Sequence, residues 1–137
     1  MTPSPARKPW WRRWFGSRSE RAAVRHLKRQ GFAIVRRNYY CPHGEIDIVA
    51  VEGGTVVFVE VRSTGTEDVE RTAASVDTAK QRRLTQLALH FLHQHRLLDR
   101  AARFDVLALS WPPGQREPLL EHYRHAFEAT GRFQMYN

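Results

Sequence analysis

A chain of 137 residues is sized for one domain around one core, too short for two well-packed ones. Its 22 Lys and Arg against 14 Asp and Glu leave a net +8 with an isoelectric point near 10.5, which points to a polyanionic partner, nucleic acid before any other. One cysteine, Cys41, excludes an intrachain disulfide; it reads as a small side chain entering a turn. No apolar run approaches the ~20 residues of a membrane span, and Met1 to Phe15 lacks the apolar stretch of a secretory signal, so a cytoplasmic protein is expected.

Residues 1–16 differ from the rest: Pro3, Pro5 and Pro9 punctuate them, and Trp10, Trp11, Trp14 and Phe15 surround Arg12 and Arg13. With no clean amphipathic period they are expected to form a disordered basic tail. Ordered alternatives are an aromatic and arginine arm that stacks on nucleic acid bases, or an interfacial membrane contact. Ser17 to Glu20 has the form of a capping box, and Ala23, Val24 and Leu27 follow at helical spacing until Gly31. Glu20 has two readings: it returns a hydrogen bond to the cap, or it points inward as a site acid.

Phe32 to Val35 reads as a strand, followed by Arg36, Arg37 and a turn at Pro42-His43-Gly44. Gly44 to Arg62 then alternates apolar and polar residues on two β-branched arms about Gly53-Gly54, which predicts a hairpin with a two-residue turn. That register sets Asp47 opposite Glu60 and Glu45 opposite Arg62, with Ile46, Ile48, Val57, Val59 and Val61 on the other face. Directly opposed Cβ atoms are about 5 Å apart, and like charges there destabilise a sheet unless one is protonated or a cation lies between them. Hard carboxylate oxygens at that spacing suit Mg²⁺ or Mn²⁺.

Ser63 to Asp77, rich in Thr, Ser and acids, reads as a mobile loop; Val76 to Leu98 as a long amphipathic helix on Leu84, Leu87, Ala88, Phe91 and Leu92; Phe104 to Leu109 as a strand. Leu119 to Phe127 is ambiguous between strand and helix. This order predicts an α/β domain over 17–130 with a mixed central sheet, and a C-terminal tail over 131–137. His90, His93, His95, His122 and His125 lack zinc-site spacing and read as surface histidines. Neither a Gly-rich phosphate loop nor a serine nucleophile elbow is present, so no small-molecule cofactor is expected.

Gly44-Glu45-Ile46-Asp47, Phe58-Val59-Glu60-Val61-Arg62, Lys80 and Arg103-Phe104-Asp105-Val106 together resemble the bacterial YraN-like family over about Ser19 to Ala129. That family is largely uncharacterised and is similar to archaeal Holliday junction resolvases and the restriction-endonuclease-like superfamily. The resemblance implies a restriction-endonuclease-like fold whose hairpin carries the active face between flanking helices. It also implies a metal-dependent endonuclease acting on structured or branched DNA, with Asp47 and Glu60 as metal ligands and Glu20 as the helix acid. A resolvase of this kind would work as a homodimer. In that superfamily a Lys stands two residues after the Glu. Here Arg62 replaces it, and a guanidinium, which holds its proton too tightly to take part in proton transfer, is no general base. Arg62 then serves as a phosphate clamp or, as the cross-strand partner of Glu45, is unavailable to substrate; Lys80 is the alternative amine, and Arg36 and Arg37 extend the nucleic-acid surface. Two other classes stay open: a catalytically inactive DNA-binding module of the same fold, marked by the Lys-to-Arg change, and a membrane or protein adaptor using the tryptophans.

Overall fold

The computed structural model describes residues 10–64 and 76–129, with side chains of the first helix from residue 18 onward. The chain runs α1 (Trp10–Arg29), β1 (Ala33–Cys41), β2 (Gly44–Glu52), β3 (Thr55–Thr64), α2 (Thr78–Gln94), β4 (Ala102–Ser110) and β5 (Leu119–Phe127). The five strands form one sheet in sequence order. All neighbours are antiparallel except β3 and β4, which are parallel because α2 carries the chain back between them. This mixed sheet flanked by two helices is consistent with the expected restriction-endonuclease-like fold. Among the described residues no helix is long and apolar enough to cross a membrane.

Both faces of the sheet are covered, one helix to each. Ala22, Ala23, Val24 and Leu27 of α1 pack with Ile48, Val57, Val59, Leu107 and Leu109. Leu84, Leu87, Ala88, Phe91 and Leu92 of α2 pack with Ile46, Val49, Phe58, Phe104 and Val106. The strands are thus apolar on two sides, as a strand with a parallel neighbour commonly is. The hairpin therefore has no wholly polar face, contrary to expectation; its acids sit at one end of a core strand.

Several elements depart from their sequence-based limits. α1 begins at Trp10, so Ser17 lies inside the helix and does not cap it. Residues 1–9 of the expected tail, most of the expected loop (65–75) and the C-terminal tail lie outside the described residues. At its other end α1 closes as expected at Gly31, whose φ of +94° lets Phe32 N–H reach Leu27 O at 2.9 Å and Gly31 N–H reach Lys28 O at 3.1 Å, the two bonds of a Schellman cap. β1 continues through Arg36, Arg37 and Tyr39 to Cys41, and the ambiguous last segment is the edge strand β5. Cys41 is buried and unoxidised beside the Pro42-His43 turn. α2 starts at Thr78, with the Asp77 side chain accepting from Lys80 N–H at 2.9 Å as its N-cap.

The Gly53-Gly54 turn is as predicted: both residues have positive φ, +55° and +88°, as a type I′ turn requires. Gly44 is a different case. Its φ is +136°, and a Cβ there would make ordinary contacts with Arg83 Cδ at 3.6 Å and Leu87 Cδ1 at 3.7 Å, so the backbone and not the space demands glycine. Gly44→Ala is expected to lower unfolding free energy by about 1–3 kcal/mol in urea titrations, whereas Gly53→Asn, in a turn that accepts Asn, is expected to stay near wild type.

Candidate functional site

The β2–β3 ladder keeps its predicted register from Glu52↔Thr55 down to Ile48↔Val59 and then stops, one rung short of Asp47 and Glu60. The expected Asp47/Glu60 and Glu45/Arg62 rungs are therefore not ladder pairs. The cause is local. Asp47 Oδ2 accepts from Val61 N–H at 2.9 Å, so a side chain takes the place of a backbone acceptor. On the other side, Asn38 in β1 adopts φ +53°, and Ile46 and Ile48, two residues apart, enter opposite core layers. β2 thus turns over at Asp47, which ordinary alternation forbids.

That rotation decides which acids meet. One carboxylate oxygen from each of Glu20, Glu45 and Asp47 lies within 4.8 Å of the other two. Glu20, buried on α1, accepts from Asn38 Nδ2 at 3.3 Å and has Arg37 Nη2 at 4.0 Å from its Oε2. Beside it, Ser19 Oγ accepts from Trp111 Nε1 at 2.9 Å, which fixes α1 against the end of β4 just where Glu20 must point inward. Glu20 is therefore the inward acid of its two readings. Glu45 was visible in the sequence as part of the acidic face but not as a partner of Glu20; only the rotation of β2 supplies that.

Glu60 stands outside this trio. It is buried, and its Oε1 lies 3.6 Å from Arg62 Nε and 3.7 Å from Lys80 Nζ. Lys80 thus reaches the site from the first turn of α2. The Arg62 Nε is buried and makes no hydrogen bond, its carboxylate neighbour being out of bonding geometry. Arg37, Arg62 and Lys80 consequently border four carboxylates contributed by α1, β2 and β3. Arg36 is exposed and lies over the Tyr39 ring, outside this group of contacts. An open cleft of about 490 Å³ between α2 and β5, bounded by Val76, Gln81, Val106 and Phe127, shares no residue with the acids.

The histidines are not all on the surface. Tyr39 Oη lies 2.6 Å from His90 Nδ1 and donates to Gln94 at 3.0 Å, tying β1 to α2. On the other face His122 Nε2 is 2.8 Å from Asp105 Oδ2, and its Nδ1 is 3.0 Å from His26 Nε2. Asp105, fully buried, also accepts from Arg103 Nε at 3.0 Å and from His125 N–H at 3.0 Å. Arg103 and Arg124 converge on Glu52 Oε1 at 2.7 and 2.6 Å. Burial raises the Asp105 pKa, but the bonds from His122, Arg103 and the His125 amide outweigh it and hold the group at about 2. Burial lowers the His26 pKa, helped by His122, Arg124 and Arg29. This network rivets edge strand β5 to β4, β2 and α1. Nothing in the sequence pairs His26 with His122.

The model of an uncharacterised protein family, UPF0102, matches residues 19–109, from the helix that carries Glu20 to the end of β4. A UPF0102 protein of Geotalea uraniireducens is 44% identical over 116 residues, covering 82% of this chain and 88% of the relative. One of Geobacter metallireducens is 42% identical over 113 residues, covering 82% and 91%. One of Pseudomonas aeruginosa is 41% identical over 115 residues, covering 83% and 92%.

Proposed function

Since this chain belongs to the uncharacterised UPF0102 family, the YraN-like family its motifs resemble, we propose its function from the site itself: a nucleic-acid-binding protein that hydrolyses phosphodiester bonds in structured or branched DNA with a divalent cation. The observation that carries this reading is the meeting of Glu20, Glu45 and Asp47 within 4.8 Å beneath a border of Arg37, Arg62 and Lys80. Three hard oxygen donors from two elements fit Mg²⁺ or Mn²⁺, which take part of their shell from protein and the rest from water and substrate phosphate. When bound, such an ion polarises the phosphoryl oxygen and lowers the pKa of water.

Asp47 is held for this role by the Val61 amide, and Glu20 by Asn38 and Arg37. Arg62, whose planar guanidinium matches a phosphate's geometry, binds and orients the phosphate. Its unbonded buried Nε is a donor awaiting an acceptor, and a phosphate oxygen is one. Glu60 holds Arg62 and Lys80 beside the acids until a phosphate competes for them. It thereby serves as their counter-ion in this reading and joins the ion's shell only if they turn to substrate.

Purified protein incubated with four-way junction, single-stranded and duplex DNA in Mg²⁺, Mn²⁺ or EDTA tests the proposal. Cleavage of the junction that needs the metal is expected. Binding with no cleavage in either metal would overturn the enzymatic reading in favour of the inactive DNA-binding module that Arg62 suggests.

A further inference from the structure

The outer face of α1 carries Arg18, Arg21, Arg25, Lys28 and Arg29, all exposed. At 3.6 residues per turn these five fall within an arc of about 100°, nearly opposite the arc that buries Ala22, Ala23, Val24 and Leu27. From Arg18 to Lys28 the stripe is about 15 Å long at 1.5 Å per residue. Between Arg18 and Arg29 the sole acid is Glu20, and it is turned inward into the carboxylate trio. Each cation has a like-charged neighbour three, four or seven positions away, an arrangement that costs an isolated helix stability. The cost is recovered when phosphates lie against the stripe.

From these observations we infer that the outer face of α1 is a docking surface for the phosphate backbone of double-stranded nucleic acid, starting beside Glu20 and leading away from the acids along the helix. A duplex presents one negative charge per about 1.7 Å of its axis, enough to face every cation of the stripe. Long cationic side chains on one helix face bind a backbone by its charge, so the stripe positions a duplex and reads no sequence. A lipid surface fits less well, because an interfacial helix inserts its apolar face, and Ala22, Ala23, Val24 and Leu27 beside the stripe are already spent on the sheet. The inference rests on the nucleic-acid half of the proposed function and is independent of its chemistry.

Fluorescence anisotropy with a labelled 20-base-pair duplex in EDTA, from 50 to 300 mM KCl, tests it. For R25Q/K28Q the slope of log Kd against log salt is expected to fall by about 1.8, about 0.9 for each lost contact, with affinity down tenfold or more at 100 mM. R25K/K28R is expected to bind as wild type does. R100Q/R116Q, which removes two exposed cations elsewhere, is expected to stay within twofold of wild type. Circular dichroism melting of each variant checks the fold. Wild type that fails to bind the duplex, R25Q/K28Q within twofold of wild type, or equal losses in both glutamine variants would overturn the inference. So would preferential binding to phosphatidylserine vesicles. Because no metal is present, loss of the cleavage reading leaves this result standing, and failure here leaves metal-dependent cleavage to be judged by itself.

Discussion

Asp47→Asn is expected to separate stability from function, in opposite directions. The amide oxygen still accepts the Val61 N–H, so the end of the β2–β3 ladder stays satisfied. Its charge is gone, and with it part of the repulsion among three carboxylates that approach within 4.8 Å. In EDTA the variant should therefore unfold at equal or slightly higher urea than wild type. It should lose at least about 100-fold in divalent-ion affinity and in any metal-dependent cleavage, since even outer partners of metal ligands cost 10–100-fold. Asp47→Ala should lose function equally and also lose about 1–3 kcal/mol of stability, because the half-buried Val61 amide is left without its acceptor. Mn²⁺ titrations of thermal stability read both effects: at 100 times Kd an ion adds about 2.7 kcal/mol to wild type, and neither variant should respond. An Asp47→Asn protein that bound Mn²⁺ as wild type does would remove the acid trio from the proposal.

Asp105→Ala is expected to be the most damaging single change to the fold, at about 3–5 kcal/mol in urea titrations. It removes a fully buried carboxylate and leaves Arg103, His122 and the His125 amide facing a void. The pH profile identifies the cause. The folded Asp105 pKa of about 2 lies below the ordinary 3.8, so its contribution is complete above about pH 4 and is lost as pH falls through 2, a total of about 2 kcal/mol. His26 is also depressed, so the unfolded chain takes its proton first and wild-type stability begins to fall below pH 6.5. Urea midpoints at pH 7, 5 and 3 should drop in both intervals for wild type. Asp105→Ala should be low throughout and lose the steeper acid step.

How far the chain could be read in advance follows from the range of the interactions involved. The hairpin turn, the register near it and α2 were predictable because each rests on neighbours a few residues apart: glycines with positive φ, alternation, an apolar stripe at helical spacing. Asp47 stands out on the same grounds, whereas Glu20 has two readings from local pattern and Lys80 enters only through the family resemblance. α1 starts ahead of its sequence signal because Trp10 to Gly16 has no amphipathic period, while all three nearby prolines precede the helix and leave it intact. The Ser17 capping signal was a coincidence of spacing, since its Glu20 is employed elsewhere. The exchange of Glu60 for Glu45 beside Asp47 depended on a half-turn of β2 produced across the sheet by Asn38, and a one-residue change of facing moves every side chain beyond it. β5 was ambiguous because an edge strand with His125 at φ +50° shows little alternation. The His26–His122 contact joins residues 96 positions apart and leaves no local trace.

Because α1 and α2 occupy opposite sides of the sheet, Glu20 and Lys80 arrive at the acids from two separate layers of packing. A peptide spanning Gly44 to Arg62 would contain most of the charged groups and still could not assemble the cluster, for it has neither helix. The cluster is in effect a gauge of whether three layers are stacked in register: sliding either outer layer by a fraction of a turn would take it apart while the hairpin stayed whole.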